Sequence, residues 1–335
     1  MQPLLRALKV LVPLALGAWL VVHFYLQLDP VQRQQVFGAF VNADPLWVMA
    51  ALIIGWLSHV VRAWRWRYLL EPLGYRPGFW NCYHAVMIGY FMNLLIPRAG
   101  EVSRAVSLSR TDQVPVEKGF GSILAERTVD VVLMLMIAGI ALLMQVEKWG
   151  LFRARIAEFR TSSAGGSPSA WPWAIGALLL LALLMGAYFM YARASLRARL
   201  MDRMRGLLQG FRSVLDLRQR WAFVLHSVLI WVLYVLMFRL GFFALPATES
   251  VPLAGVFAGF IAGTVGIMLV QGGLGVYPAF VAVIVSLYMV PPMAAGAPQP
   301  EALALGWLLW VVQTAMLVVL GGLSLLLARR QRPTQ

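Results

Sequence analysis

Residues 93–110 read N-L-L-I-P-R-A-G-E-V-S-R-A-V-S-L-S-R, so that three arginines and one glutamate follow the apolar run 79–96. A second charged cluster, Glu126, Arg127 and Asp130, opens the next apolar run. A charged side chain near the bilayer centre costs about 2.5–3.5 kcal/mol on insertion scales, and such residues usually face a cavity or each other. We therefore expect the functional site to lie at this segment.

The composition predicts an all-α polytopic membrane protein. Of the 335 residues, 61% are hydrophobic and 13% are charged, whereas soluble domains have about 45–50% and about 25%. Several runs approach or exceed the roughly 20 apolar residues that cross a bilayer. We attribute the net charge of +14 to cytoplasmic loops rich in Lys and Arg. We do not take it as a sign of nucleic-acid binding. We expect one integral membrane domain, residues 1–335, with no separate soluble domain.

Neither a metal site nor another cofactor is expected. The single cysteine, Cys82, excludes an internal disulfide. The four histidines are scattered, without the spacing of metal ligands.

The distribution of positive charge determines the predicted topology. If residues 79–96 crossed the membrane completely, the later segment 193–220, with eight arginines, would lie outside, against the positive-inside rule. If residues 79–111 instead enter and leave on the cytoplasmic side, the conflict disappears and both termini are cytoplasmic. Such a re-entrant hairpin is tolerated only where its irregular tip is buried in protein or lines water. Six spans complete the prediction: residues 10–26, 45–61, 119–144, 171–191, 221–243 and 301–328.

A second interrupted pair, residues 251–290, gives the chain a hidden symmetry. The break reads Q-G-G-L-G-V-Y-P, and the residues alone leave open whether this pair re-enters or spans fully. Residues 1–144 and 171–328 then form an inverted repeat, as in many secondary transporters, whose sites lie where broken helices meet. The segment 193–220 is predicted to be a basic amphipathic cytoplasmic connector, lying on the anionic leaflet or packing against the bundle.

The two hairpin tips, I-P-R-A-G-E and Q-G-G-L-G-V, occupy matching positions. Glycines let backbones approach closely, and helix N-termini at the tips favour an anionic group. The second tip adds four residues to the candidate site: Gln271, Gly272, Gly273 and Gly275.

The carboxylates Glu126 and Asp130 are i, i+4 neighbours on one helix face and require a cation between them. We expect Arg98, Arg104 or a substrate group to supply it. The arginines and tryptophans of R-A-W-R-W-R-Y, residues 62–68, are instead predicted to form an interfacial belt at the end of the second span.

Three segments of the chain resemble the transmembrane region of lysylphosphatidylglycerol synthase, the flippase-like domain family. They are G-Y-F-M-N-L-L-I-P-R-A-G-E-V-S-R-A at 89–105, A-E-R-T-V-D at 125–130 and G-G-L-G-V at 272–276. The resemblance covers nearly the whole chain and implies movement of lipids between leaflets. It also implies a polar core of Asn93, Pro97, Arg98, Gly100, Glu101, Arg104, Glu126, Arg127 and Asp130.

The chain departs from this family in two respects. The soluble synthase domain is absent, so we expect no synthesis of aminoacyl-lipid. Tyr277 and Pro278 stand where many relatives carry a glutamate, so the substrate of the aminoacyl-lipid flippases does not transfer directly.

The leading hypothesis is a lipid flippase or transporter of the cell (inner) membrane. Arg98 and Arg104 would bind a lipid phosphate, because guanidinium matches phosphate bidentately. Glu101, Glu126 and Asp130 would hold these arginines, or accept a cationic headgroup or a proton. Phospholipid, aminoacyl-lipid and polyprenyl-phosphate-linked sugar all fit.

Four other interpretations remain. The charges can form a purely structural ion network. Paired hairpins also build channels, although Asn-Pro-Ala tips are absent. An intramembrane enzyme using Ser103, Ser107 or Ser109 is disfavoured, because no histidine accompanies them and helical serines usually bond to their own helix. A non-catalytic membrane partner of a lipid- or glycan-modifying enzyme is the more credible alternative.

Overall fold

The protein is described by a computed structural model over residues 30–96, 99–145, 217–289 and 298–330, with isolated positions at 22 and 26. Within these ranges every regular element is helical. Short 3₁₀ turns lie at Glu71–Leu73 and Gln271–Gly273. The α-helices are α1 Pro30–Val41, α2 Pro45–Leu70, α3 Phe79–Leu95, α4 Ala99–Asp112, α5 Val116–Leu143, α6 Arg220–Phe243, α7 Pro246–Glu249, α8 Leu253–Leu269, α9 Val276–Ser286 and α10 Pro300–Arg330.

Three helical segments are long and apolar enough to cross a membrane: Pro45–Leu73, Arg220–Phe243 and Pro300–Ala328. They confirm three predicted spans and the membrane class of the protein. The second span was predicted too short, since its helix continues past residue 61 to Leu70. The predicted spans 10–26 and 171–191 lie outside the described residues, as does nearly all of the connector 193–220.

Helix α5 covers the predicted span 119–144 and has 28 residues, about 42 Å at 1.5 Å per residue, but it is not among the three described segments that are apolar enough to cross a membrane. Helix α1 was not predicted. Its residues Val36, Ala39 and Phe40 pack against the larger hydrophobic core.

Helices α2 and α6 run antiparallel along most of their length. The Trp47 and Phe243 rings lie 4.9 Å apart at one end, and Arg65 Nη1 donates to Ser227 Oγ at 3.0 Å towards the other. The C-terminal ends of α2 and α6 therefore lie at opposite ends of the bundle.

Helices α3 and α4 form a closed hairpin. At its base, Asp112 Oδ1 accepts hydrogen bonds from Gly78 N and Asn81 Nδ2, each at 3.2 Å. Nearer the tip, a Cβ on Gly89 would lie 2.9 Å from the Gly100 carbonyl oxygen, so the backbones touch where both residues are glycine. The hairpin therefore returns to the end from which it starts, as predicted.

Helices α8 and α9 form the second hairpin. A Cβ on Gly255, near the start of α8, would lie 2.8 Å from the ring of Tyr288, just past α9. At the turn Gly272, Gly273 and Gly275 have φ values of 66°, 70° and 73°. This left-handed backbone disfavours other residues, which explains the glycine-rich break in the sequence.

The two hairpin tips contact each other. The first hairpin follows α2 and the second follows α6, so the two hairpins enter from opposite ends. Gln271 Nε2 donates to the Asn93 carbonyl at 2.9 Å, and Trp310 Nε1 donates to the Gly272 carbonyl at 2.6 Å. The order helix, hairpin, helix thus occurs twice among the described residues, while the inverted repeat itself stays a prediction.

Candidate functional site

Five charged side chains form a buried cluster between helices α2, α4 and α5. Each is at most 7% exposed. Helix α2 contributes two arginines, α4 contributes one, and α5 contributes both carboxylates: Arg62, Arg65, Arg104, Glu126 and Asp130.

Glu126 is the centre of this cluster. Arg104 binds it bidentately, with Nη2–Oε2 at 2.9 Å and Nη1–Oε1 at 3.2 Å. Arg62 Nη1 and Arg65 Nη2 lie 2.7 Å and 2.9 Å from Oε1. One carboxylate therefore contacts arginines from two helices, and it joins α2 to α4 through α5.

Asp130 lies one turn further along α5 and pairs with both arginines of α2. Arg65 binds it through Nη1 at 2.7 Å and Nη2 at 3.2 Å, and Arg62 Nη1 lies 2.8 Å from Oδ2. Neutral acceptors on α6 add to these contacts, since Arg62 Nη2 donates to Tyr234 Oη at 3.2 Å and Arg65 to Ser227. The i, i+4 carboxylates thus share one face, as predicted.

A narrow cleft lies beside the cluster between α3, α4 and α5, and the space in it that a water-sized sphere can occupy is about 10 Å³. The five predicted site residues that line it are Asn93, Gly100, Glu101, Arg104 and Arg127. Asn93 Oδ1 accepts from Gly100 N at 2.8 Å. The amide side chain thereby holds the start of α4 against the end of α3.

A looser ion pair lies at the edge of the cleft. Arg127 Nη2 is 3.5 Å from Glu101 Oε1, and their side chains are 38% and 29% exposed. Arg127 Nη1 is also 4.0 Å from Asp130 Oδ2. These separations exceed ordinary hydrogen-bond lengths, so this pair is much weaker than the contacts of the buried cluster.

The structure thus brings most of the described site residues together. Glu126 and Asp130 lie behind the cleft that the five residues line, in contact with Arg104 and Arg127. Gln271 and the glycine turn adjoin it through the Asn93 backbone, but they do not line it. Pro97 and Arg98 lie outside the described residues.

The interfacial assignment of Arg62 and Arg65 was wrong. Both are buried, and so is Trp66, whose Nε1 donates to Ser122 Oγ at 2.9 Å and whose ring lies 3.9 Å from the Arg104 guanidinium. Trp64 is 43% exposed, on another face of α2. The i, i+3 spacing of the two arginines was the available signal, because it places them on one face.

The serine-enzyme interpretation gains no support from the geometry. Ser103 Oγ donates to the Ala99 carbonyl at 2.7 Å, the back-bonding expected of a helical serine. No group of three His, Cys, Asp or Glu suited to a metal ion occurs within the described part of the chain.

Comparisons with known proteins agree with the membrane class of the chain. Residues 10–321 match the family described as lysylphosphatidylglycerol synthase TM region. The chain is 24% identical over 317 residues to a UPF0104 membrane protein of Methanothermobacter thermautotrophicus, covering 86% of this chain and 89% of that one. No solved structure matches.

Two further relatives match over about a third of this chain. A UPF0104 membrane protein of Methanocaldococcus jannaschii is 29% identical over 119 residues, which are 35% of this chain and 34% of that protein. Glycosyltransferase AglD of Haloferax volcanii is 35% identical over 118 residues, 35% of this chain and 18% of AglD. The matched part therefore spans only a minor share of either relative.

Proposed function

Because this chain belongs to the family of the lysylphosphatidylglycerol synthase TM region, we propose that it is a membrane transporter that moves a phosphate-bearing lipid between leaflets. The headgroup would enter the cleft between α3, α4 and α5, which would have to widen, because its interior now has room for about one water molecule. Both termini would face the cytoplasm, and the two hairpins would re-enter the membrane from opposite sides.

The observation that carries this proposal is the charge of the buried cluster. Among the described side chains of the cluster, three arginines face two carboxylates, an excess of one positive charge, and Arg104 of the cluster lines the cleft. Retaining a net charge inside a membrane protein is costly unless a counter-charge is available. An anionic headgroup would provide that counter-charge, and guanidinium groups are suited to phosphate.

The meeting of the two hairpin tips also supports transport. Sites of secondary transporters lie where discontinuous helices meet near the midplane, and Gln271 joins the tips within this bundle. A re-packing of one hairpin against the other would change which side of the bundle the cleft opens to.

A second candidate is suggested by the relative named as a glycosyltransferase. The matched region is a minor part of AglD, so a related membrane domain occurs there within a much larger protein. By analogy, this chain would act as the non-catalytic membrane partner of a glycan- or lipid-modifying enzyme.

The test is leaflet reorientation in liposomes containing the purified protein. Fluorescent phosphatidylglycerol and a polyprenyl-phosphate-linked sugar would be compared, with dithionite quenching or lectin capture as the readout. The variants are Arg104→Gln at the cleft and Arg98→Gln at a predicted site residue that lies in the sequence between α3 and α4. The matched control is Arg76→Gln, since Arg76 is 79% exposed and pairs with Glu71 at the bundle surface.

We expect lipid movement with the wild type and the control, and at least a tenfold loss with Arg104→Gln. Movement that survives Arg104→Gln unchanged in folded protein would contradict the site. No movement of either lipid, together with copurification of a modifying enzyme, would favour the partner role.

A further inference from the structure

The indole ring of Trp66 lies directly against the guanidinium of Arg104, the cluster arginine that lines the cleft. The ring centroid is 3.9 Å from Arg104 Cζ, whereas the other arginine–ring contacts within the described residues are 4.4 Å or longer. Trp66 is 0% exposed and Arg104 is 4% exposed. Resting on the proposed function, we propose that Trp66 is a positioning residue, which holds the Arg104 guanidinium in place for the phosphate of the lipid headgroup.

Trp66 is itself held in place by α5. Its Nε1 donates to Ser122 Oγ at 2.9 Å, and that hydroxyl donates to the Gly119 carbonyl at 2.7 Å. Because the ring is fully buried and its N–H group is bound, the indole is not free to turn away from Arg104. Trp66 belongs to α2 and Arg104 to α4, so the contact also joins these two helices.

The face and the edge of the Arg104 guanidinium have different partners. At 3.9 Å from Cζ the ring contacts the face, because an N–H group pointing at the ring would hold the carbon further away. A guanidinium carries its five N–H donors in one plane, and Glu126 binds two of them along an edge. The contact with Trp66 uses none of the five.

This division matters when an anion enters the cleft. A phosphate would compete with Glu126 for the N–H donors of Arg104, but it would not compete with the ring, since guanidinium stacks on an aromatic face and binds phosphate through its edge. Trp66 would therefore keep Arg104 aligned while its N–H groups change partners. Loss of the ring should weaken phosphate binding in addition to lowering the stability of the protein.

Lipid binding to the full-length protein in uncharged detergent tests this inference. The probes are short-chain phosphatidylglycerol, a polyprenyl phosphate, neutral diacylglycerol and soluble glycerophosphoglycerol, which carries a phosphate without acyl chains. Trp66→Phe and Trp66→Met both remove volume from the core, but only phenylalanine keeps a ring. Trp231→Met is the matched control, since Trp231 is also buried and its described ring contacts are with Tyr234 and Phe260.

We expect the wild type to bind an anionic lipid more tightly than diacylglycerol. Trp66→Phe should weaken this binding by no more than about threefold, because phenylalanine still offers a face to the cation, although a weaker one than tryptophan. Trp66→Met should weaken it by about tenfold, the scale of a desolvated cation–π contact. Trp231→Met should lower stability and leave the affinity unchanged. If Trp66→Met does not fold, Trp66→Leu, which also lacks a ring, takes its place.

The contradicting outcomes are distinguishable. Equal affinities of Trp66→Phe and Trp66→Met for the anionic lipid would overturn the positioning role and leave lipid transport standing. A loss of affinity in Trp231→Met as large as in Trp66→Met would also overturn it, because the effect would then follow from packing alone. A wild type that binds neither anionic lipid above diacylglycerol would overturn the proposed function itself, and so would glycerophosphoglycerol binding as tightly as the lipids.

Discussion

Replacing Glu126 by Gln removes the residue on which the buried cluster depends. Glu126 is 0% exposed and contacts three arginines, Arg62, Arg65 and Arg104. The substitution keeps the shape of the side chain and deletes one negative charge. Three buried arginines would then face Asp130 alone, and the excess of positive charge in the cluster would rise from one to two.

The magnitude follows from the burial of the pair. Removing one partner of a buried ion pair costs about 3–5 kcal/mol, because the remaining charge stays desolvated without compensation. Arg104 is the most affected arginine, since both of its Nη groups bind Glu126 and it makes no contact with Asp130 in the described cluster. We therefore expect Glu126→Gln to lower the free energy of unfolding by about 3–5 kcal/mol.

The assay is equilibrium unfolding in mixed micelles with increasing sodium dodecyl sulfate, followed by tryptophan fluorescence. Glu71→Gln is the control, since its surface pair with Arg76 should contribute under about 1 kcal/mol. The double variant Arg104→Gln, Glu126→Gln should be more stable than the sum of the single losses predicts, because it leaves no unpaired Arg104. A loss below about 1 kcal/mol for Glu126→Gln would refute the reasoning, since it would equal that of a solvated pair.

Three other predictions test the hairpins and the core. Gly100→Ala should destabilise the protein by about 1–3 kcal/mol, because the added Cβ would lie 2.5 Å from both the Asn93 side chain and a backbone oxygen. Thermal unfolding should show this loss of stability for Gly100→Ala and no loss for the control Gly121→Ala, whose Cβ would meet nothing within 4 Å. Gln271→Ala should speed amide hydrogen exchange at both tips, since it deletes the hydrogen bond to the Asn93 carbonyl; unchanged exchange would contradict a contact between the tips. Cys82 is 0% exposed, so maleimide should label it only after denaturation, and rapid labelling of folded protein would contradict the packing of α3.

The hairpins were predictable from the sequence because their signals are local. Pro97 interrupts an apolar run, and the glycines at 272, 273 and 275 mark a backbone that other residues adopt poorly. The positive charge of the loops then decided the predicted topology.

The composition of the buried cluster was only half predictable. Glu126, Asp130 and Arg104 stand out because they interrupt or border apolar runs. Arg62 and Arg65 stand at the end of a span beside tryptophans, where arginine is ordinarily interfacial. Only the packing of α2 against α5 and α6 places them inside, and that packing is a long-range property that no local pattern encodes. For the same reason the Gln271–Asn93 contact was not predicted, although the two tips were matched.

The buried cluster is poorly explained by stability alone. Well-packed apolar side chains of similar volume often replace a buried ion network with no loss, or with a gain, so holding α2, α4 and α5 together does not require charge. A purely structural network would also be expected to balance, yet the three arginines exceed the two carboxylates by one. Arg104 of the cluster borders a cleft, and Glu101, a further carboxylate that lines this cleft, is held by a long contact to Arg127. An arrangement that is costly in isolation becomes favourable once an anion enters, and the phosphate-bearing lipid of the proposed function would supply that anion.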